Sequence, residues 1–229
     1  MNKEQLERTI GLIGEEGVKK LSSSTILVCG LGGVGGTALE ALARSGIENF
    51  VLIDFDKISP SNLNRQILYT ANDVDKYKTE VAKNRLLSIN CDSHIAILNK
   101  RIDNSIQAVL IDYPISFIID AIDDISGKVA LADFAIKNNI PIISSLGMAN
   151  RFDSTKVIIT RLDKTTNDPL AKKLRYEYKK AGLDTKLIQV AYSTEAPLKD
   201  GNKLNSMMMV PSSAGLAMAG YVIKTIINQ

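Results

Sequence analysis

The feature that most restricts this chain is a strand, a glycine-rich turn and a helix in direct succession near its start. Thr25–Cys29 is a short apolar, β-branched run. Gly30-Leu31-Gly32-Gly33-Val34-Gly35 follows without a spacer, and residues 34–44 then place Leu39, Leu42 and Ala43 on one helical side before Gly46. Gly30, Gly32 and Gly35 satisfy the dinucleotide fingerprint, in which glycines permit a tight turn and let the backbone approach a phosphate. Amides of such a turn and the dipole of the helix behind it stabilise negative charge. Residues 50–54 (FVLID) read as a second buried strand ending in Asp54, where a carboxylate can accept hydrogen bonds from ribose hydroxyls. NAD and ATP both fit this frame.

The rest of the chain continues the alternation. Val81, Ala82, Leu86 and Ile89 recur at helical spacing over residues 78–89, and His94–Leu98 is a third strand. Residues 116–120 (SFIID) and 140–144 (IPIIS) are two more, flanking a helix near residues 128–137. Unbroken apolar strands alternating with helices predict an α/β fold: a Rossmann-like, mostly parallel sheet with helices on both faces. A C-terminal strand and helix region extends it, with strands at 156–160, 187–192 and 207–210. There a helix opens at Asp168-Pro169 and ends at Gly182, and a closing helix covers residues 212–227. No linker-like stretch appears. We therefore expect one domain over residues 1–229, with a nucleotide-binding core (1–150) and a substrate-facing extension (151–229).

Composition removes several chemistries. Cys29 and Cys91 make neither a disulfide framework nor a four-cysteine zinc site, and the single histidine, His94, argues against Ser-His-Asp catalysis. Cys29 falls in a core strand, and nothing near Cys91 marks it as activated. An enzyme built on this chain would work with Lys, Arg, Asp, Asn and backbone amides. The N-terminus lacks an apolar run with a small-residue cleavage site. The apolar stretch 207–228 is interrupted by Pro211, Ser212, Ser213, Gly215 and Lys224. The expectation is a cytoplasmic protein with no membrane partner.

The run Ser59-Pro60-Ser61-Asn62-Leu63-Asn64-Arg65-Gln66, followed by Lys78 at the start of a helix, separates ATP from NAD. A dehydrogenase has no need of it. A site that splits the α–β bond of ATP must neutralise the leaving pyrophosphate, and Arg65 offers a planar fork while Lys78 offers a compact point charge. An NAD(P)-dependent oxidoreductase or sensing module would explain the glycine turn and Asp54 but leave these residues without a purpose.

Taken together, RTxxLIG beginning at Arg8, GLGGVG, LIDFD (52–56), NLNRQ (62–66), a lysine, DAID (120–123) and a strand ending in Ser144-Ser145-Leu146-Gly147 resemble the ubiquitin-activating-enzyme-like ATP-binding superfamily, which includes the sulfur-carrier adenylyltransferases. The tail motifs KTTNDPL (164–170), YSTE (192–195) and VPSSAG (210–215) resemble its tRNA threonylcarbamoyladenosine dehydratase branch. The resemblance runs end to end and implies an ATP-dependent adenylating enzyme that uses ATP and Mg2+ and forms a homodimer. By position it implies that Asp54, with Asp56 beside it, binds the ribose, and that Asn62, Arg65 and Lys78 line the phosphates. Gly30, Gly32, Gly33, Gly35, Asn64 and Gln66 complete the implied nucleotide site. Asp123 would hold magnesium, with Asp124 as fallback and Asp120, inside the strand, a poorer candidate. Arg8 would reach the partner subunit's nucleotide, which makes Arg65, Lys78, Asp123 and Arg8 the implied catalytic set.

The implied substrate is a tRNA carrying threonylcarbamoyladenosine, whose carboxylate would be adenylated and then displaced by its own carbamoyl group. The alternative is activation of the C-terminal carboxylate of a small ubiquitin-like sulfur-carrier protein. Charge favours the RNA. Residues 1–150 hold 15 basic and 18 acidic side chains, whereas residues 151–229 hold 13 basic and 7 acidic. Lys172, Lys173, Arg175, Lys179 and Lys180, interleaved with Tyr176 and Tyr178, make a basic face beside an apolar stripe. Glu195 would either place the substrate or anchor a loop. Residues 199–205 read equally as a lid or a turn, and a sulfur-transfer or electron-transfer partner is left open.

Overall fold

Successive residues of the first strand, β1 (Thr25–Cys29), are buried on alternate sides: Ile26 and Val28 in one apolar cluster, Leu27 and Cys29 in another. A strand buried on both faces needs helices over both. The computed structural model describes residues 1–166, 168–198 and 203–228. Six further strands follow: β2 (Asn49–Ile53), β3 (His94–Leu98), β4 (Phe117–Asp120), β5 (Ile142–Ser145), β6 (Val157–Arg161) and β7 (Gln189–Ser193). They form one seven-stranded sheet in the order β3-β2-β1-β4-β5-β7-β6. Every pairing is parallel except β6 against β7.

Helices α1 (Glu7–Ser23), α2 (Gly33–Arg44), α3 (Lys78–Ile89) and α7 (Met209–Ile227) cover one face of the sheet. Helices α4 (Ile106–Leu110), α5 (Ile125–Lys137) and α6 (Pro169–Lys180) cover the other. This is the expected mostly parallel α/β fold. Helix α7 is long and apolar enough to cross a membrane, yet Val210, Ala214, Met218, Val222 and Ile226 are buried, and the helix packs along α2. Its small residues permit that close approach.

The structure corrects one expected element. Residues 207–210 form no strand, because α7 already begins at Met209. Pro211 needs no donor in a first helical turn, and an apolar run of four residues carries no periodicity that separates a strand from a helix start. Helices α1 and α4 were not expected in full. Helix α1 is interrupted at Gly14 (φ +75°) and buries only Gly17 and Leu21, so its apolar signal is thin.

Candidate active site

The chain leaves β1 toward one face of the sheet and β4 toward the other, and these strands are neighbours. A crevice opens at such a switch point beyond the carboxyl ends of the strands. Here it is a cavity of about 450 Å³. The end of β1 supplies Gly30, Gly32 and Gly33, the end of β2 supplies Asp54, Phe55 and Asp56, and the end of β4 supplies Ala121, Ile122, Asp123 and Asp124. Lys100, Arg101 and Ile102 close it after β3, and Asn62, Arg65, Gln66 and Lys78 form the remaining wall.

The glycine turn is held under tight constraint. Gly30 adopts φ +84°, and a Cβ there would lie 2.7 Å from the Ala121 carbonyl oxygen. A Cβ on Gly35 would lie 1.9 Å from the Gly30 oxygen, so Gly35 lets α2 pack on the turn without itself lining the cavity. The first amides of α2 have no helical acceptors and are available to an anion. Asp54 braces the turn: Oδ2 accepts from the Leu31 N–H at 2.7 Å and Oδ1 from the Asp56 N–H at 2.9 Å. Burial pushes the Asp54 carboxyl above its ordinary range, against the pull of Lys78 and the two amides. Each oxygen keeps a further acceptor site for a ribose hydroxyl.

The cations are placed by their own elements. Lys78 opens α3, is 5% exposed, and directs Nζ to Asp56 Oδ2 at 2.7 Å and toward Asp54 Oδ2 at 4.0 Å. Arg65 donates through Nη1 to the Ser61 carbonyl at 2.7 Å and to Asn64 Oδ1 at 2.9 Å, which steadies the guanidinium at the cavity wall. Asn62 Oδ1 accepts from the Ser59 N–H at 3.1 Å and caps the short helical turn that carries it. Gln66 is buried, and its Oε1 has no partner among the described residues. A buried acceptor without a donor is costly. This one borders the cavity, where a ligand donor would satisfy it.

Asp123 and Asp124 divide their work. Asp124 caps α5, accepting from the Gly127 N–H at 2.8 Å and from Ser126 Oγ, and these bonds hold its carboxyl below the ordinary range. Asp123 is exposed and makes no side-chain hydrogen bond or ion pair among the described residues. No group of three or more potential metal-binding His, Cys, Asp or Glu side chains exists among the described residues. The described residues therefore build no metal cage of their own, but one free carboxylate beside an anion-cradling turn would suit magnesium, which keeps waters and phosphate oxygens as its other ligands.

Other expected site residues lie away from the cavity. Asn64 donates to the Ser206 carbonyl at 2.8 Å instead of lining the wall. Arg8 is exposed on α1 and does not line its own chain's cavity. Glu195 accepts from the Phe152 and Asp153 amides at 3.0 and 2.8 Å and so anchors a loop. Lys172, Lys173, Lys179 and Lys180 are exposed on α6, but Arg175 turns back to the Thr165 hydroxyl and carbonyl, and Tyr178 is fully buried. Residues 199–202, part of the expected lid or turn, and Asn167 of the tail motif lie outside the described residues. Cys29 is buried, which pushes its thiol well above the ordinary range, and His94 is exposed at the start of β3. Sequence reading missed Phe55, Lys100, Arg101 and Ile102. Their one signal was position after a strand's carboxyl end, the rule that selected Asp123.

The ThiF family matches residues 5–229. The tRNA threonylcarbamoyladenosine dehydratase of Bacillus subtilis (strain 168) is 35% identical over 242 aligned residues, covering 98% of this chain and 95% of that protein. The enzyme of the same name from Escherichia coli (strain K12) is 36% identical over 209, covering 84% and 75%. The crystal structure of Escherichia coli TcdA in complex with ATP superposes with a TM-score of 0.94 at 32% identity, covering 99% of this chain and 95% of that one.

Proposed function

The chain belongs to the ThiF family, and from that premise we propose that it is a tRNA threonylcarbamoyladenosine dehydratase that adenylates its substrate with ATP. The observation that carries this reading is the meeting of Arg65 and Lys78 with the glycine turn in one cavity. Gly30, Gly32, Gly33 and the first amides of α2 cradle phosphate, Asp54 accepts from the ribose, and Gln66 Oε1 takes a ligand donor. The threonine carboxylate attacks the α-phosphorus, and the α–β bridging bond breaks. Pyrophosphate departs with the electron pair, its charge met by Arg65, Lys78 and Asn62. The carbamoyl group then closes on the activated carbonyl, loses a proton and expels AMP. The departing oxygen came from the carboxylate, so the nucleoside loses the elements of one water. Ring closure within one molecule gains several kcal/mol from proximity, on the order of what effective molarities supply.

Magnesium, when bound, screens the phosphate charge, and Asp123 is the side chain that would hold it. No protein nucleophile is needed, in keeping with a buried Cys29. The reaction is redox-neutral, and its atoms balance without a sulfur-transfer or electron-transfer partner. Residues 1–229 act as one adenylating domain in this proposal, with 151–229 facing the substrate. The tRNA lies along Lys172, Lys173 and Lys179 of α6, Arg8 reaches the nucleotide of a partner copy in a homodimer, and the protein works in the cytoplasm. Activation of a sulfur-carrier protein is the less supported reading, since the relatives aligned over most of the chain carry the dehydratase name.

The test is nucleotide turnover. Incubated with ATP and Mg2+, the protein should form AMP and pyrophosphate in equal amounts only when tRNA carrying the modified adenosine is present. Turnover driven by a carrier protein's Gly-Gly tail, and indifferent to tRNA, would favour the alternative.

A further inference from the structure

An aspartate and a lysine lie beneath the cavity with no contact to solvent. Asp120 ends β4, Lys128 lies one turn into α5, and both side chains are 0% exposed. Lys128 Nζ donates to both carboxylate oxygens of Asp120 at 3.0 Å. Ser144 Oγ donates to Asp120 Oδ2 at 2.7 Å, and the Ile122 N–H reaches Oδ1 at 3.3 Å. Tyr178, itself buried, donates its hydroxyl to the Lys128 carbonyl at 3.2 Å. Neither member of the pair lines the cavity.

Stability gives no reason for such a pair. Removing two charges from water costs several kcal/mol per ion, and apolar replacement of a buried ion pair is often neutral or stabilising. Its placement gives the reason. The pair ties the end of β4 to α5 across residues 121–124, the stretch that forms the cavity wall. Further bonds fix the rest of that stretch: Ala121 N–H to the Cys29 carbonyl at 2.8 Å, Ile122 N–H to Asp120, and Asp124 to the Gly127 and Lys128 amides and the Ser126 hydroxyl. Among the described residues the Asp123 side chain has no bond of its own, and it takes its position from these anchors.

We propose that Asp120 and Lys128 are positioning residues that set Asp123 against the metal-bound polyphosphate. The inference rests on the nucleotide reading above. It is tested by calorimetric binding of the non-hydrolysable α,β-methylene analogue of ATP at fixed Mg2+. The paired variant Asp120→Asn with Lys128→Met removes both charges together. It should keep a cooperative melting transition and weaken the analogue about tenfold. In an Asp123→Asn background the same pair of changes should cost less than about twofold, because effects acting through one group are not additive. Ser144→Ala removes one hydrogen bond to Asp120 without removing a charge, and should show a smaller loss with the same dependence on Asp123. Equal losses in both backgrounds, or no loss in a folded paired variant, would overturn the proposal. Should the paired variant not fold, unchanged binding by Ser144→Ala would overturn it alone. A wild-type chain that ignores the analogue would remove the nucleotide reading and this inference with it, whereas wild-type binding matched by the variants removes only the inference.

Discussion

Lys78 shows how much of the site is built before a ligand arrives. Its ammonium is held between Asp56 and Asp54 in a nearly dry position, which in the proposed reaction limits the reorganisation required as phosphate charge develops. Arg65 is steadied differently, by a carbonyl and an amide oxygen at the cavity wall. Arg65→Ala should lower pyrophosphate release by about 100-fold or more with little change in the urea midpoint. Lys78→Ala should lower it as much while costing some stability, because it strips two carboxylates of their cation. Either variant releasing pyrophosphate at the wild-type rate would end that residue's assigned role. Both cations were legible because each stands in or beside a dense polar motif. Lys100 and Arg101 were not, since the end of β3 carries no such pattern. The preference for Asp123 over Asp124 was legible from position past the end of β4, and the structure adds that Asp124 is engaged as the cap of α5.

Between elements, ion pairs set how the helices stand. Glu40 on α2 accepts from Arg85 of α3 at 2.7 and 3.0 Å and from Arg44 at 2.8 and 2.9 Å. Burial pushes its carboxyl up, but the two guanidiniums outweigh this and hold it below the ordinary 4.5. A carboxyl depressed in the folded state adds stability that is present above its unfolded pKa and lost as pH falls through the lowered folded value. Glu40→Gln should therefore lower the urea midpoint at neutral pH, and its gap from wild type should close as pH drops below about 4.5. A gap that is constant across that range would contradict the assignment. The parallel strands were legible at this scale because a buried strand reads as an unbroken apolar run. The start of α7 was not, since Met207, Met208 and Met209 have neither helical nor strand period. On α6 the basic face was legible from its spacing, yet Tyr178 is buried with Leu174 and Arg175 turns inward to cap a neighbouring turn.

Across the whole molecule, the proposed function divides the labour between two parts of the chain. The near-neutral first part folds around the cavity, and the basic last part adds β6 and β7 to the same sheet and packs α6 and α7 on its two faces. Reversing Lys172, Lys173 and Lys179 to Glu should weaken tRNA binding by about tenfold or more and flatten its salt dependence, with ATP binding unchanged. Unchanged tRNA affinity would move the RNA surface elsewhere. The end-to-end motif pattern made the nucleotide chemistry readable, whereas the path of an RNA across exposed lysines leaves no comparable pattern in a single chain. The most direct measurement is the mass of the modified adenosine after incubating the protein with ATP and tRNA and digesting the RNA to nucleosides. The account predicts a nucleoside lighter by one water, formed only with ATP. An unaltered mass from tRNA that carries the modification, with ATP bound, would contradict it.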